Sequence, residues 1–212
     1  VPSKTVQPIL PSFDIRIGAF TIERMTFGEG ITKPARVARI EGKADIRDGR
    51  ALVDLNGTSR GGDRLVLKLD SAPDRNVFDA AAAVNAPKDG VIAGMLGATQ
   101  PLSLRIEGDG SWKDWKGALT ARAGSGELAR LALTAKSGRY DLNGVARPAL
   151  VTTGRIARLI GPEMRVTGNA TLANRQLDTH IGLVSPALAL SANGFIDLAR
   201  SSFDAMRVEV RL

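Results

Sequence analysis

The feature that most constrains this chain is the alternation of apolar and polar residues along nearly all of its 212 positions. Near the C-terminal end, Leu188, Leu190, Ala192, Gly194, Ile196 and Leu198 alternate with Ala189, Ser191, Asn193 and Asp197. After Arg200-Ser201-Ser202 the pattern resumes, with Met206, Val208, Val210 and Leu212 set against Arg207, Glu209 and Arg211. A period of two sends successive side chains to opposite faces of a strand, so each run has one apolar and one wet face. The polar interruption is long enough for a turn, and the two runs are expected to be neighbouring strands of one sheet.

The rest of the chain repeats this arrangement. Val1 to Ser12, with Pro2, Pro8 and Pro11, reads as an extended lead-in. Phe13, Ile15 and Ile17 begin the first strand, Phe20 and Ile22 continue it, and Met25 and Phe27 then fall on the other parity. That slip predicts a bulge near Glu23-Arg24, because without one the apolar set would change faces. Gly28-Glu29-Gly30 reads as a turn, and Ile40, Ala44 and Ile46 as the next strand. Asp48-Gly49 is a two-residue hairpin signal leading to Ala51, Val53 and Leu55. Gly57 to Asp63 reads as a loop before Leu65, Leu67 and Leu69, and Val77 to Asn85 follows as a further strand.

Beyond these come Leu102, Leu104 and Ile106, an expected turn at Gly108-Asp109-Gly110, and then Leu119, Ala121 and Ala123. Leu131, Leu133 and Ala135 precede Tyr140, Leu142, Gly144 and Ala146. Met164, Val166, Gly168, Ala170 and Leu172, then Leu177, Ile181 and Leu183, complete the series.

Two stretches break the rhythm. In Asp89 to Gly97, Val91, Ile92, Met95 and Leu96 fall at helical spacing, with Asp89 as the expected N-cap and Gly97 as the stop. Thr153 to Ile160 predicts a second short helix ended by Gly161-Pro162. The two glycine exits lie 64 residues apart (161 − 97), which raises the prospect of a loose repeat of one helix plus several strands. The expectation is an all-β chain of about a dozen mostly antiparallel strands with two short helices, in one continuous domain over residues 1–212.

Chemistry is sparse. There is no cysteine and a single histidine, His180, so thiolate chemistry is excluded and no cofactor or metal is expected. Gly57-Thr58-Ser59-Arg60-Gly61 matches the hydrolase elbow pattern but lies between two strands, where that motif does not work. Gly57 to Gly62 has P-loop glycine spacing, yet Asp63 and Arg64 stand where Lys and Ser/Thr are required. No catalytic residue is assigned, and a non-enzyme is expected. The net charge of +7 and pI near 10.2 could suit nucleic acid. However, the arginines are scattered over polar strand positions and aromatics make up only 4%, so no nucleic-acid partner is expected. Trp112 and Trp115 sit close to a turn; they could cap an open edge of the apolar face, but the expectation is that they cover a hairpin.

The scarcity of aromatics and the 23 glycines suit closely approaching or curved backbone better than an ordinary sandwich core. No secretory signal and no apolar run of about 18 residues is present. The chain opens Val-Pro-Ser and stops in mid-pattern, and is expected to be a fragment of a longer protein.

Four stretches together resemble a known family. These are ANGFIDLARSSFDAMRVEVRL at the end, LPSFDIRIGAFTIERMTF near the start, ARIEGKADIRDGRALVDL after it, and DGVIAGMLG at the first helix. They are similar to the strand units of the TamB (translocation and assembly module) family, within the AsmA-like group of bridge-like lipid transfer proteins. The resemblance covers most of the chain as a middle segment.

It implies a long sheet curled into a U-shaped hydrophobic trough. It also implies a periplasmic location, with the parent anchored in the inner membrane of a Gram-negative envelope and partnered by an outer-membrane TamA-like barrel through parts outside this segment. Phospholipid acyl chains would lie in the trough, in support of outer-membrane biogenesis and protein assembly.

The expected lining begins with Ile40, Ile46, Val53, Leu55, Leu65, Leu67, Leu69, Leu104 and Ile106. It continues with Leu131, Leu133, Leu142, Val166, Ile181, Leu190, Ile196, Val208 and Val210. Each CH₂ kept from water is worth about 0.8 kcal/mol, and a repetitive strip would give cargo a flat profile along which to slide. Two other readings stay open: a chaperone that holds outer-membrane protein strands by strand addition, and a structural β-solenoid stalk with a filled cross-section.

Overall fold

The computed structural model describes residues 15–29, 35–152, 154–173, 176–197 and 202–211. The Pro-rich lead-in, Phe13, Thr153, Leu198 and Leu212 lie outside the described residues. Thirteen strands follow one another. They are β1 Ile15–Phe27, β2 Arg36–Arg47, β3 Arg50–Ser59, β4 Arg64–Ala72, β5 Val77–Ala86, β6 Leu102–Gly110 and β7 Trp115–Ala123. Then come β8 Gly126–Lys136, β9 Arg139–Ala146, β10 Met164–Ala173, β11 Gln176–Val184, β12 Ala189–Asp197 and β13 Ser202–Arg211. Two helices, α1 Val91–Met95 and α2 Gly154–Ile160, interrupt them, with single 3-10 turns at Pro73–Arg75 and Pro148–Leu150.

All the strands belong to one curved, unclosed sheet whose spatial order is the chain order, each antiparallel to its sequence neighbours. Tight connections produce this meander. At Asp48 and Gly49 the backbone adopts φ of 50° and 68°, the left-handed pair that a two-residue hairpin needs, and Arg47 pairs directly with Arg50. Ser137 and Gly138 (φ 48° and 86°) do the same between β8 and β9.

The register corrects several expectations. β1 carries two register shifts, not one: between Ile17 and Phe20, and between Ile22 and Met25. Together they hold Ile17, Phe20, Ile22, Met25 and Phe27 on one face despite two changes of parity, opposite Ala44, Gly42, Ile40, Ala38 and Arg36. Gly57 to Ser59 is strand rather than loop, since Gly57 pairs with both Ile40 and Leu65. Gly108 to Gly110 likewise lies inside β6, and the turn falls at Ser111–Asp114, closed by Ser111 N–H to the Asp114 carbonyl and Asp114 N–H to the Ser111 carbonyl. Glycine stands at 108 because the Trp115 indole lies close and at 110 because the Asp114 backbone does, not because the chain reverses.

The helices divide the run of strands. Five strands, β1–β5, precede α1, four, β6–β9, separate α1 from α2, and four, β10–β13, follow. Both helices leave through a glycine with positive φ, Gly97 at 63° and Gly161 at 79°. They emerge from the same end of the strands. There Gln100, just after α1, donates from Nε2 to the Leu150 carbonyl at 3.4 Å, just before α2. Among the described residues no helix is long and apolar enough to cross a membrane.

Candidate apolar binding face

Tracing the cross-strand pairs shows which residues share a face. One row runs Leu55, Leu67, Ala82, Ile106, Leu119, Leu131, Gly144, Val166, Leu183, Leu190 and Val210, each paired with the next. Flanking rows carry Ile40, Gly57, Leu65, Val84 and Leu104 on one side, and Gly117, Leu133, Leu142, Gly168, Ile181, Ala192 and Val208 on the other. Every position expected from the sequence to line the strip lies on this one face: Ile46 lies two residues from Ala44, Val53 pairs with Leu69, and Ile196 pairs with Leu177.

The charged residues lie on the other face. Asp54 pairs with Lys68, Arg105 with Thr120, and Asn169 with His180, all on the parity opposite to the apolar rows. Among the paired residues of β3 to β13 the apolar face holds no Asp, Glu, Lys, Arg or His, and Arg36 carries charge onto it only at the first residue of β2. On the charged face, Arg50 Nε donates to Asp70 Oδ1 at 2.7 Å, and Glu127 accepts from Arg130 Nε at 2.9 Å and from Arg147 at 3.1 Å. The hydrogen bond from Arg50 holds the Asp70 carboxyl below the usual range, and those from Arg130 and Arg147 do the same for Glu127.

Among the described residues no second layer covers the apolar face. Among the described residues no large side chain is fully buried, and most of the buried apolar side chains are alanines. Ile181 is 48% exposed and Val208 51%. A sandwich would bury such residues against a facing sheet; here they stand open. Comparison of this chain with protein-family models, with curated proteins and with solved structures finds no match.

Two local features depart from the smooth strip that alternation suggests. The first is an aromatic cluster at the end of the strands away from the helices. Phe78 packs edge-to-face on Trp112 (centroids 5.9 Å apart) and on Trp115 (5.4 Å), and Trp112 packs on Tyr140 at 6.3 Å. Trp112 and Trp115 are both buried. Trp115 occupies the apolar face, in the row of Ala135 and Tyr140, and its ring lies over Gly108 and Gly117, where a Cβ would come within 2.1 and 2.3 Å of the indole. This departs from the expected cover of a hairpin: Trp115 covers part of the apolar face. Burial of Tyr140 in this cluster raises its phenol pKa.

Beside the cluster lies a concavity of about 340 Å³ that reaches from Phe78 and Trp115 to Ile181. Its wall includes Leu133, Leu142, Gly168 and Ala170.

The second feature is the seating of α1. Asp89 is not its N-cap. Gly90 holds that position and has no capping side chain of its own. Asp63, from the β3–β4 turn, caps the helix across the sheet, accepting from Val91 N–H at 2.7 Å and Ile92 N–H at 3.1 Å, while the Ser59 hydroxyl donates to the same carboxylate. The Gly-Thr-Ser-Arg-Gly-Gly-Asp stretch that resembles two catalytic motifs is therefore a helix mount. Nothing local in the sequence signals it, because the partner lies 28 residues away. His180 stays on the charged face, its Nδ1 hydrogen-bonded to Asn193 Oδ1. Among the described residues no cluster of His, Cys, Asp or Glu could hold a metal ion.

Proposed function

We propose that this chain is a segment of a periplasmic bridge of the TamB kind. In this reading, phospholipid is carried along an apolar trough between the inner and outer membranes, in support of outer-membrane biogenesis and protein assembly. The observation that carries the reading is the division of the sheet: an uncovered apolar face free of charge from β3 to β13, backed by a face that holds the ion pairs.

Acyl chains laid against Leu67, Ile181 and Val208 exchange bilayer contacts for protein contacts and avoid a cost of about 0.8 kcal/mol per CH₂ in water. Headgroups remain in solvent. No bond is made or broken, so no catalytic group is needed. Membrane anchoring and docking to an outer-membrane TamA-like barrel fall to parts of the parent outside this segment.

Photocrosslinkers placed at Leu67, Ile181 and Ile196 in cells test the proposal. Lipid adducts at these positions, with none at Lys68 or Arg165, support it. Capture of lipid only on the charged face overturns it. Among the described residues the outermost strands β1 and β13 each pair on one side only, which keeps strand addition by an unfolded barrel segment as a second reading. Adducts to nascent outer-membrane proteins instead of lipid would select that reading.

A further inference from the structure

The one charge on the apolar face stands at its rim, at the end of the strands from which the helices emerge. Arg36 opens β2 there, paired with Phe27. It is half-buried, and among the described residues its guanidinium has no ion pair and no hydrogen bond. A cation partly withdrawn from water without a partner is costly, and an anion at the same place removes that cost.

Across the rim, the charged face holds a concavity lined by Glu23, Arg24, Arg39, Thr58 and Arg60. The register shift between Ile22 and Met25 puts Glu23 and Arg24 in the bulge that forms its β1 wall. The Arg60 N–H donates to the Val37 carbonyl at 3.1 Å, which sets Arg60 beside the start of β2. Arg39 is already held, by Glu23 at 3.1 Å and by Glu41 at 3.3 Å. Arg24 and Arg60 are exposed, and neither side chain has a partner among the described residues. Three unpaired guanidiniums therefore stand at one corner, one on the apolar side of the rim and two on the other. An open apolar lane leads away from them: Ile22 pairs with Ile40 and Ile17 with Ala44, and both β1 isoleucines are exposed.

We infer that this corner binds a phosphate group, held by Arg36 from the apolar side and by Arg24 and Arg60 from the charged side, while the hydrocarbon attached to it lies down the β1–β2 lane. The inference rests on the proposed lipid-carrying role and names the part of the cargo that the chain recognises. A guanidinium fork suits the oxygens of a phosphate mono- or diester, and an uncharged amphiphile offers it none. Free phosphate presents the same oxygens but leaves the lane uncovered. The headgroup stays in solvent with its phosphate gripped at one rim, so the lipid takes a fixed orientation, head toward the helices and tail toward the opposite strand ends.

The test titrates the full chain with dihexanoyl phosphatidylglycerol, dihexanoylglycerol and inorganic phosphate by isothermal calorimetry. Phosphatidylglycerol should bind about tenfold more tightly than either of the others. Arg36→Gln and Arg60→Gln should each weaken it by about fivefold and leave dihexanoylglycerol within about twofold. Lys68→Gln, on the charged face away from the corner, should leave both unchanged. Arg24→Gln serves if circular dichroism shows that Arg36→Gln does not fold. Inorganic phosphate bound as tightly as phosphatidylglycerol, and weakened by the same substitutions, would make this a free-phosphate site and overturn the headgroup assignment. A preference for phosphatidylglycerol that survives the arginine substitutions would overturn the site. Equal binding of the two lipids would do so too, while leaving the lipid-carrying face intact. Binding of neither lipid would overturn both.

Discussion

The Asp63 carboxylate accepts the Val91 N–H at 2.7 Å, so a residue in the β3–β4 turn starts a helix that the chain does not reach until after β5. Asp63 is 5% exposed, and its other bonds come from Ile92 N–H and the Ser59 hydroxyl. Asp63→Ala leaves both helix donors and Ser59 without their acceptor. It should lower the unfolding free energy by about 1–3 kcal/mol, with Asp63→Asn losing less because one acceptor oxygen remains. Urea denaturation followed by circular dichroism measures the difference.

The Trp115 ring lies over two glycines that face each other in the next row, Gly108 and Gly117. Gly117→Ala would put a methyl 2.3 Å from the indole, and the ring would have to leave its site. A loss of about 1–3 kcal/mol is expected, with a red shift in tryptophan fluorescence as the ring meets water. Gly168→Ala meets only ordinary contacts and should stay within about 0.5 kcal/mol of the parent chain.

The half-exposed apolar positions separate a conduit from a core. Ile181 is 48% exposed, so Ile181→Asp should cost little stability yet sharply reduce lipid adducts along the strip, because a carboxylate has no partner on that face. Leu67→Asp and Ile196→Arg should block passage in the parent in the same way, whereas Lys68→Glu, on the opposite face, should not. Lipid crosslinking yield and thermal melting, measured on the same samples, distinguish the two effects.

Acid should loosen the charged face. Asp70 and Glu127 titrate below the ordinary carboxylate range, through their hydrogen bonds to Arg50 and to Arg130 and Arg147. A depressed folded-state pKa contributes stability that is present above the unfolded value near 4 and is lost as pH falls through the lower folded value. The melting temperature should therefore hold from pH 7 to about 5 and decline below about 4. The Asp70→Asn variant should decline less steeply over the same acid range.

Much of this architecture was legible in the residues. Alternation of the kind seen in Leu65-Val66-Leu67-Lys68-Leu69 assigns a face to every side chain because the strand period is two, and the register later put all those positions together. Asp48-Gly49 marked its hairpin because few other pairs accept two positive φ values. The first bulge of β1 was missed at Gly18-Ala19, where small residues carry no facial signal. Gly108 was misread as a turn, since glycine serves a tight reversal and a buried ring equally well.

Local patterning by itself determined the strands, their meander and the sorting of charge from hydrocarbon, because those depend on residues one or two positions apart. Only the tertiary structure decided that no second layer of the described residues covers the apolar face, that Trp115 lies across Gly108 and Gly117, and that Asp63 holds α1. Those outcomes depend on which distant strands the sheet's curvature brings near one another, and no neighbouring pair of residues encodes that distance.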